Sequence, residues 1–323
     1  MKALRRVCAA ALCALLLAGC SPAPVVLYTD LPEAPVKELA AAFTEQTGIS
    51  VTVTVQADSA IGRTVGQPDD PCDVVMLSAP AIETMLRLQA EERLAPVMTA
   101  HEAGLPWSVS GDAFVGLGGE TWVLLVHTGL FGDSLPDSIF DLTDAPTGRC
   151  GLPDPGRYPY YLLGVYLGWD ESLMLAFLQD MLRHGVQWGG GPADAARKVA
   201  SGEWAVAITT LRCARDALED GAPLKIIIPD QNAGELGTLT VPVTVAAVRR
   251  DKPNPNAERL MAFLLRPESE AALIAAGVID APLRDMTGAD GQALTAIRPL
   301  PNRIGEIYGS LDTIGSRLAS LIE

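Results

Sequence analysis

Histidine is scarce in this chain. There are three in 323 residues, His101, His127 and His184, and they are scattered. No C-x-x-C pair and no Cys/His cluster occurs, so the ligand spacing of a zinc site is missing. There is no Gly-x-Ser-x-Gly elbow, no Walker-type phosphate loop and no His-Glu-x-x-His. Their absence removes the signatures of α/β hydrolases, P-loop nucleotidases and zinc proteases, and the chain reads as a non-enzyme. Gly189-Gly190-Gly191-Pro192 reads as a turn. Positive charge is also short: 24 Lys and Arg stand against 39 Asp and Glu, for a net charge of −15. Such a surface repels nucleic acid and anionic headgroups. No repeat or low-complexity segment is present. What remains is a composition 49% hydrophobic and 20% charged, which suits a packed globule rather than a disordered chain.

The amino terminus is the most specific segment. Met1-Lys2-Ala3-Leu4-Arg5-Arg6 is basic, Val7 to Leu17 is apolar, and Leu17-Ala18-Gly19-Cys20 follows. A basic start and an apolar run of about 7–15 residues make a secretory leader, too short for a permanent membrane span. The last four residues resemble the bacterial lipobox, in which the cysteine takes a diacylglycerol and cleavage falls before it. The expectation is a signal peptide over 1–19, lipidation of Cys20, a tether over 20–24 and an extracytoplasmic location. In a Gram-negative host the anchored protein would face the periplasm. Loss of Lys2, Arg5 and Arg6 with the leader takes the net charge from −15 to −18. Acyl chains contribute about 0.8 kcal/mol per buried CH₂, enough to anchor the body without basic residues. In the oxidising compartment Cys72, Cys150 and Cys213 remain, an odd number that allows one bridge or none.

Beyond the tether, strand-like and helix-like segments alternate. Val25 to Thr29, Ile49 to Val55 and Cys72 to Leu77 read as strands, separated by helical patterns at Pro35 to Thr47 and Ile61 to Val65. Pro80 to Ala90 is helical, with Gly48 a natural stop for the first helix. Thr121 to Val126, Cys150 to Leu152, Ala205 to Thr209, Leu224 to Ile228 and Thr238 to Val248 read as further strands. Helices are expected at Tyr160 to Leu167, Ser172 to His184, Asp194 to Ser201, Asn256 to Leu265, Glu268 to Ala276 and Gly305 to Glu323. The alternation implies right-handed βαβ units and parallel sheets with covered faces.

Four blocks in order carry a resemblance. They are Val26-Leu27-Tyr28-Thr29-Asp30 with Ala40 to Val51, Cys72 to Ser78 with Leu94-Ala95-Pro96, Trp122 to Thr128, and Val241-Pro242 with Asn254 to Glu268. Together they resemble the solute-binding proteins of ABC importers, in the iron(III)-binding branch. The resemblance spans roughly Val25 to Pro282. It implies a two-lobed α/β periplasmic-binding-protein-like fold (type II), each lobe a mostly parallel sheet flanked by helices, closing on its ligand by hinge motion. Lobe 1 would hold 25–119 and 241–285, the hinge 120–129 and 238–240, lobe 2 130–237, and a C-terminal extension 286–323. Partners implied are a small-molecule or ion ligand and an ABC permease, the protein itself being monomeric.

In open α/β sheets ligands sit at the carboxyl ends of the strands. That rule picks Tyr28, Thr29, Asp30, Ser59, Ser78, Arg157, Tyr158, Thr209 and Thr210 as ligand contacts, and Arg212, two residues on, joins them as a positive charge. Hydroxyls and N–H groups would cradle an oxyanion and Arg157 would give a bidentate contact. Tyr160, Tyr161 and Tyr166 read as one packing face of a helix. Iron-binding members place adjacent tyrosines after the strand corresponding to Ala205–Thr209, and a histidine just after the opening tyrosine. This chain has Thr210-Leu211-Arg212-Cys213 and Leu31-Pro32 there. Leu211 and Arg212 supply no anionic oxygen for iron(III), so an anionic or chelated ligand is expected: a phosphonate, a carboxylate or a ferric chelate. No resident cofactor is expected. Placement in lobe 2 makes Cys150 and Cys213 the pair for a possible disulfide. The alternatives are a sensor or scaffold that keeps the fold without transport, and a secreted α/β enzyme.

Overall fold

A computed structural model describes residues 23–97, 104–132, 134–154, 171–219 and 221–310. The first half of the fold begins with β1 (Val25–Thr29), α1 (Glu33–Thr47), β2 (Val51–Val55) and α2 (Asp58–Thr64). It continues with β3 (Val74–Leu77) and α3 (Ile82–Ala90). Then come the long strand β4 (Val115–His127) and the short α4 (Thr128–Phe131). The second half holds β5 (Cys150–Pro153), α5 (Glu171–Arg183), β6 (Gln187–Gly189), α6 (Pro192–Ala200), β7 (Val206–Thr210), α7 (Leu211–Leu218) and β8 (Leu224–Ile227). The chain returns through β9 (Thr240–Ala247), α8 (Pro255–Leu264) and α9 (Pro267–Ala275). It ends with the hairpin β10 (Met286–Thr287) and β11 (Ala293–Leu294), and with α10 (Ile304–Gly309).

Strands run in the order β2-β1-β3-β9-β4-β7-β5-β6, with β8 also on β4. β1 is parallel to β2 and β3, and β5 to β6 and β7, as βαβ units require. The two crossing strands β4 and β9 are antiparallel to their neighbours. β4 pairs with β9 as far as Thr121↔Thr240 and with β7 from Trp122↔Thr210. One strand thus belongs to both halves and changes partner between residues 121 and 122.

Alternation along the strands sorts the core into faces. Val74 and Met76 point at Phe43 of α1 and Leu260 and Phe263 of α8. Val75 and Leu77 join a second cluster that continues into the other half through Leu124, Val126, Ile208 and Leu152. Val123, Leu125 and Ala207 face α6 and α7 around Trp204.

The expected strands and helices are largely present, with informative differences. β4 starts at Val115 and not at Thr121, because its first half is rich in glycine. A Cβ on Gly119 would lie 2.0 Å from the Val241 carbonyl oxygen, so the close approach of β9 needs a bare backbone. α7 was not foreseen: it follows β7 with no loop, and Thr210 both ends the strand and caps the helix through Oγ1, 3.4 Å from the Cys213 amide. The short β6 and the β10–β11 hairpin were likewise unannounced. The expected helix at Tyr160 to Leu167 lies outside the described residues. Of the expected terminal helix, only Ile304–Gly309 and the turn after it lie within them.

The Cys150–Cys213 disulfide is corrected: both thiols are free, as is Cys72. Cys150 sits in the cluster on one face of the sheet and Cys213 packs against the cluster on the other. Burial pushes the Cys150 thiol up to about 12 and raises Cys72 still further. Thiolate is the reactive form. Of these three, only half-buried Cys213 should therefore react with an aromatic disulfide reagent in the native protein, and all three after unfolding without reductant. Finding a single reactive thiol after unfolding would restore the bridge.

Candidate functional site

β3 ends at Leu77↔Thr244 and β7 at Thr210↔Trp122, so the carboxyl ends of the parallel strands in both halves point at the place where β4 changes partner. Residues just beyond those strand ends form the candidate cleft. From the first half come Asp30 and Ser78. The Asp30 carboxylate accepts from the Ser78 amide at 2.7 Å and from its hydroxyl at 2.5 Å, tying the loop after β1 to the loop after β3. Both are half-buried.

From the second half comes Arg212, on the first turn of α7. It donates to the Gly277 carbonyl at 2.7 Å and lies 3.9 Å from an Asp280 carboxylate oxygen. Its side chain is 60% exposed. Arg215, one turn on, donates to the Asp280 carbonyl at 3.3 Å. Asp280 in turn accepts from the Thr121 amide at 3.1 Å, at the partner change of β4. Burial raises the Asp280 carboxyl, opposed by the Thr121 hydrogen bond and by Arg212 and Arg215. Glu120, next to Thr121, is half-buried; burial raises its carboxyl, Asp280 adds to the rise and Arg212 opposes it. Two carboxylates and two guanidinium groups therefore gather where the halves meet.

The other expected contacts are spent elsewhere or lie apart. Tyr28 is a correction: its phenol faces Asp70, whose carboxylate pairs with Arg250 at 3.2 Å. Asp70 and Cys72 precede β3, so Tyr28 faces the amino end of that strand, away from the cleft. Burial and the Asp70 charge raise its phenol. Thr29 Oγ1 accepts the Leu31 amide at 3.1 Å and shapes the turn after β1. Thr209 is buried and donates to the Pro192 carbonyl at 2.7 Å, fastening β7 to the start of α6. Thr210 is the cap of α7. Ser59 is exposed on the first turn of α2. Arg157, Tyr158 and Cys20 lie outside the described residues, as do Tyr160, Tyr161 and Tyr166.

Glu120 and Asp280 escaped the sequence reading. A lone charge inside the apolar run Val115 to Val126 was the available signal for Glu120. Asp280 had none, because only the tertiary fold brings it to β4 across 159 residues. Among the described residues no three His, Cys, Asp or Glu side chains gather as a metal-binding group, and no helix is long and apolar enough to cross a membrane.

No curated protein shows significant similarity to the chain. Solved structures do. Ferric iron-binding protein A of Mannheimia haemolytica, in an open conformation, is 15% identical over 93% of this chain and 98% of that one, with a TM-score of 0.71. Iron-bound HitA from Pseudomonas aeruginosa is 20% identical over 92% and 99%, with a TM-score of 0.60. AfuA from Actinobacillus pleuropneumoniae, with fructose-6-phosphate bound, is 18% identical over 90% and 98%, with a TM-score of 0.55. The model of a bacterial extracellular solute-binding protein family matches residues 25–278. The chain belongs to these bacterial extracellular solute-binding proteins and has the two-lobed type II fold of their iron(III)-binding-like branch.

Proposed function

We propose that this chain is a lipid-anchored extracytoplasmic receptor, held by Cys20, that captures a small anionic or chelated solute between its two lobes and passes it to an ABC permease. The observation that carries the ligand class is Arg212. It stands where iron-binding relatives place tyrosine, half-free and beside the partner change of β4. A guanidinium has five donors, and Arg212 spends one on the Gly277 carbonyl. The remainder suit a carboxylate, a phosphonate or the acidic groups of a ferric chelate. Among the similar structures one holds iron and another a sugar phosphate, so the fold serves both a metal ion and an anion.

The test is a thermal-shift screen with ferric citrate, phosphonates, sulfate, polyamines and thiamine. A ligand at 100 times its dissociation constant should stabilise by about 2.7 kcal/mol. For the best hit, Arg212→Ala should weaken binding by about 1.5–3 kcal/mol, the loss of a charged hydrogen bond to the ligand's acid. Stabilisation by polyamines or thiamine alone, with Arg212→Ala unchanged, would overturn the anionic reading.

A further inference from the structure

Glu120 is the only acidic residue in β4, and its carboxylate has no hydrogen bond or ion pair among the described residues. The carboxylate is half-buried and still reaches water, so it is an open acceptor that the donor of a guest can occupy. The charges that act on it are Asp280, of the same sign, and Arg212. Asp280 is already served by the Thr121 amide, with Arg212 3.9 Å away. Arg212 keeps most of its donors, and its side chain stays 60% exposed. The cleft therefore holds an acceptor with no donor on the crossing strand and a donor set with too few acceptors on α7.

A purely anionic guest would satisfy Arg212 and be repelled by Glu120 and Asp280. A purely cationic guest would do the reverse. A molecule with both charges complements the pair, and the local count of two carboxylates against Arg212 and Arg215 is already neutral. We propose that the cleft selects a zwitterion of the aminoalkyl carboxylate class, its acid on Arg212 and its ammonium on Glu120. This rests on the anionic reading above and narrows it: the acid group is necessary, and the ammonium makes the discrimination. Binding supplies Glu120 with the donor it lacks, and the ammonium offsets the like charge of Asp280.

Calorimetric titration of the full-length folded protein with matched pairs tests the idea: β-alanine against propionate, and γ-aminobutyrate against butyrate. The amino member of each pair should bind about tenfold or more tightly, as for a close charge pair in a desolvated site. Glu120→Gln should bring that ratio near one by weakening only the amino members, whereas Arg212→Gln should weaken both. The Glu120→Gln protein should melt no lower than the parent at pH 7. Burial raises this carboxyl, so its contribution to stability is complete below the unfolded carboxylate range and is lost as pH climbs through the raised value. Equal binding of the amino and plain acids, or a ratio unmoved by Glu120→Gln, overturns the zwitterion and leaves the anionic reading standing. The zwitterion falls in the same way if no pair binds while ferric citrate or inorganic phosphate stabilises the fold. If none of these compounds binds, both readings fall.

Discussion

Replacing Arg284 by methionine should cost about 3–5 kcal/mol of folding stability, the penalty for leaving one member of a buried ion pair uncompensated. Arg284 Nε lies 2.9 Å from Glu270 Oε2, with side-chain exposures of 11% and 0%. A second guanidinium nitrogen donates to the Leu265 carbonyl at 2.7 Å. Glu270 Oε1 faces the Gly118 amide at 3.4 Å, so the pair also fastens α9 to β4 two residues from Glu120. Methionine keeps much of the volume and removes the charge, which leaves Glu270 ionised in an apolar wall. Urea unfolding monitored by circular dichroism reads the loss directly. The double variant Arg284→Met with Glu270→Leu should regain much of it, since a buried pair replaced as a unit is often near neutral. A single variant within about 1 kcal/mol of the parent would show that the ion pair is not what holds α9 to β4.

Trp204→Ala should cost a similar amount, about 3–5 kcal/mol, through the cavity left in the second half. Trp204 is 2% exposed and is the largest side chain in the cluster under α6 and α7. Lys198 Nζ sits 4.5 Å from its ring centroid. The ring lies flat against Gly151 of β5, where an added Cβ would come within 1.9 Å of a ring carbon. Gly151→Ala alone should therefore destabilise by about 1–3 kcal/mol through overpacking. In the Trp204→Ala background the same methyl should be near neutral or helpful, because the space is empty. A cycle of thermal melts measures the coupling. Additive effects would mean that β5 and the ring are not in the close contact described.

Much of the scaffold was legible because local pattern and tertiary role agree. β1, β3 and β7 are short apolar runs, and α1 ends at Gly48, whose φ of 72° suits a residue without a Cβ. Readings failed where a neighbour's backbone set the local requirement. The glycines of β4 look like a loop until β9 is seen pressed against them. Thr210 gave no sign of a helix start because the strand runs directly into it.

The candidate site divides in the same way. The strand-end rule points to Asp30 and Ser78, since the end of a strand can be read from its own residues, and the resemblance points to Arg212. Tyr28 failed because alternation and the position of Asp70 decide which end its hydroxyl reaches. The bridge between Cys150 and Cys213 failed because membership in one lobe says nothing about which face of a sheet a thiol occupies.

The sequence by itself determined the α/β class, the acidic balance of charge, the expectation of a secretory leader and the resemblance of four ordered blocks to solute-binding proteins. Those depend on composition, on short periodicities and on residue identity along the chain. Only the tertiary structure decided that Glu120, Asp280 and Arg212 share one place, and that Glu120 is left there without a donor. Glu120 and Asp280 lie at opposite ends of the folded chain's long excursion through the second half, and a strand that changes partner joins them. Electrostatic interaction depends on distance through space, and no local pattern encodes that distance.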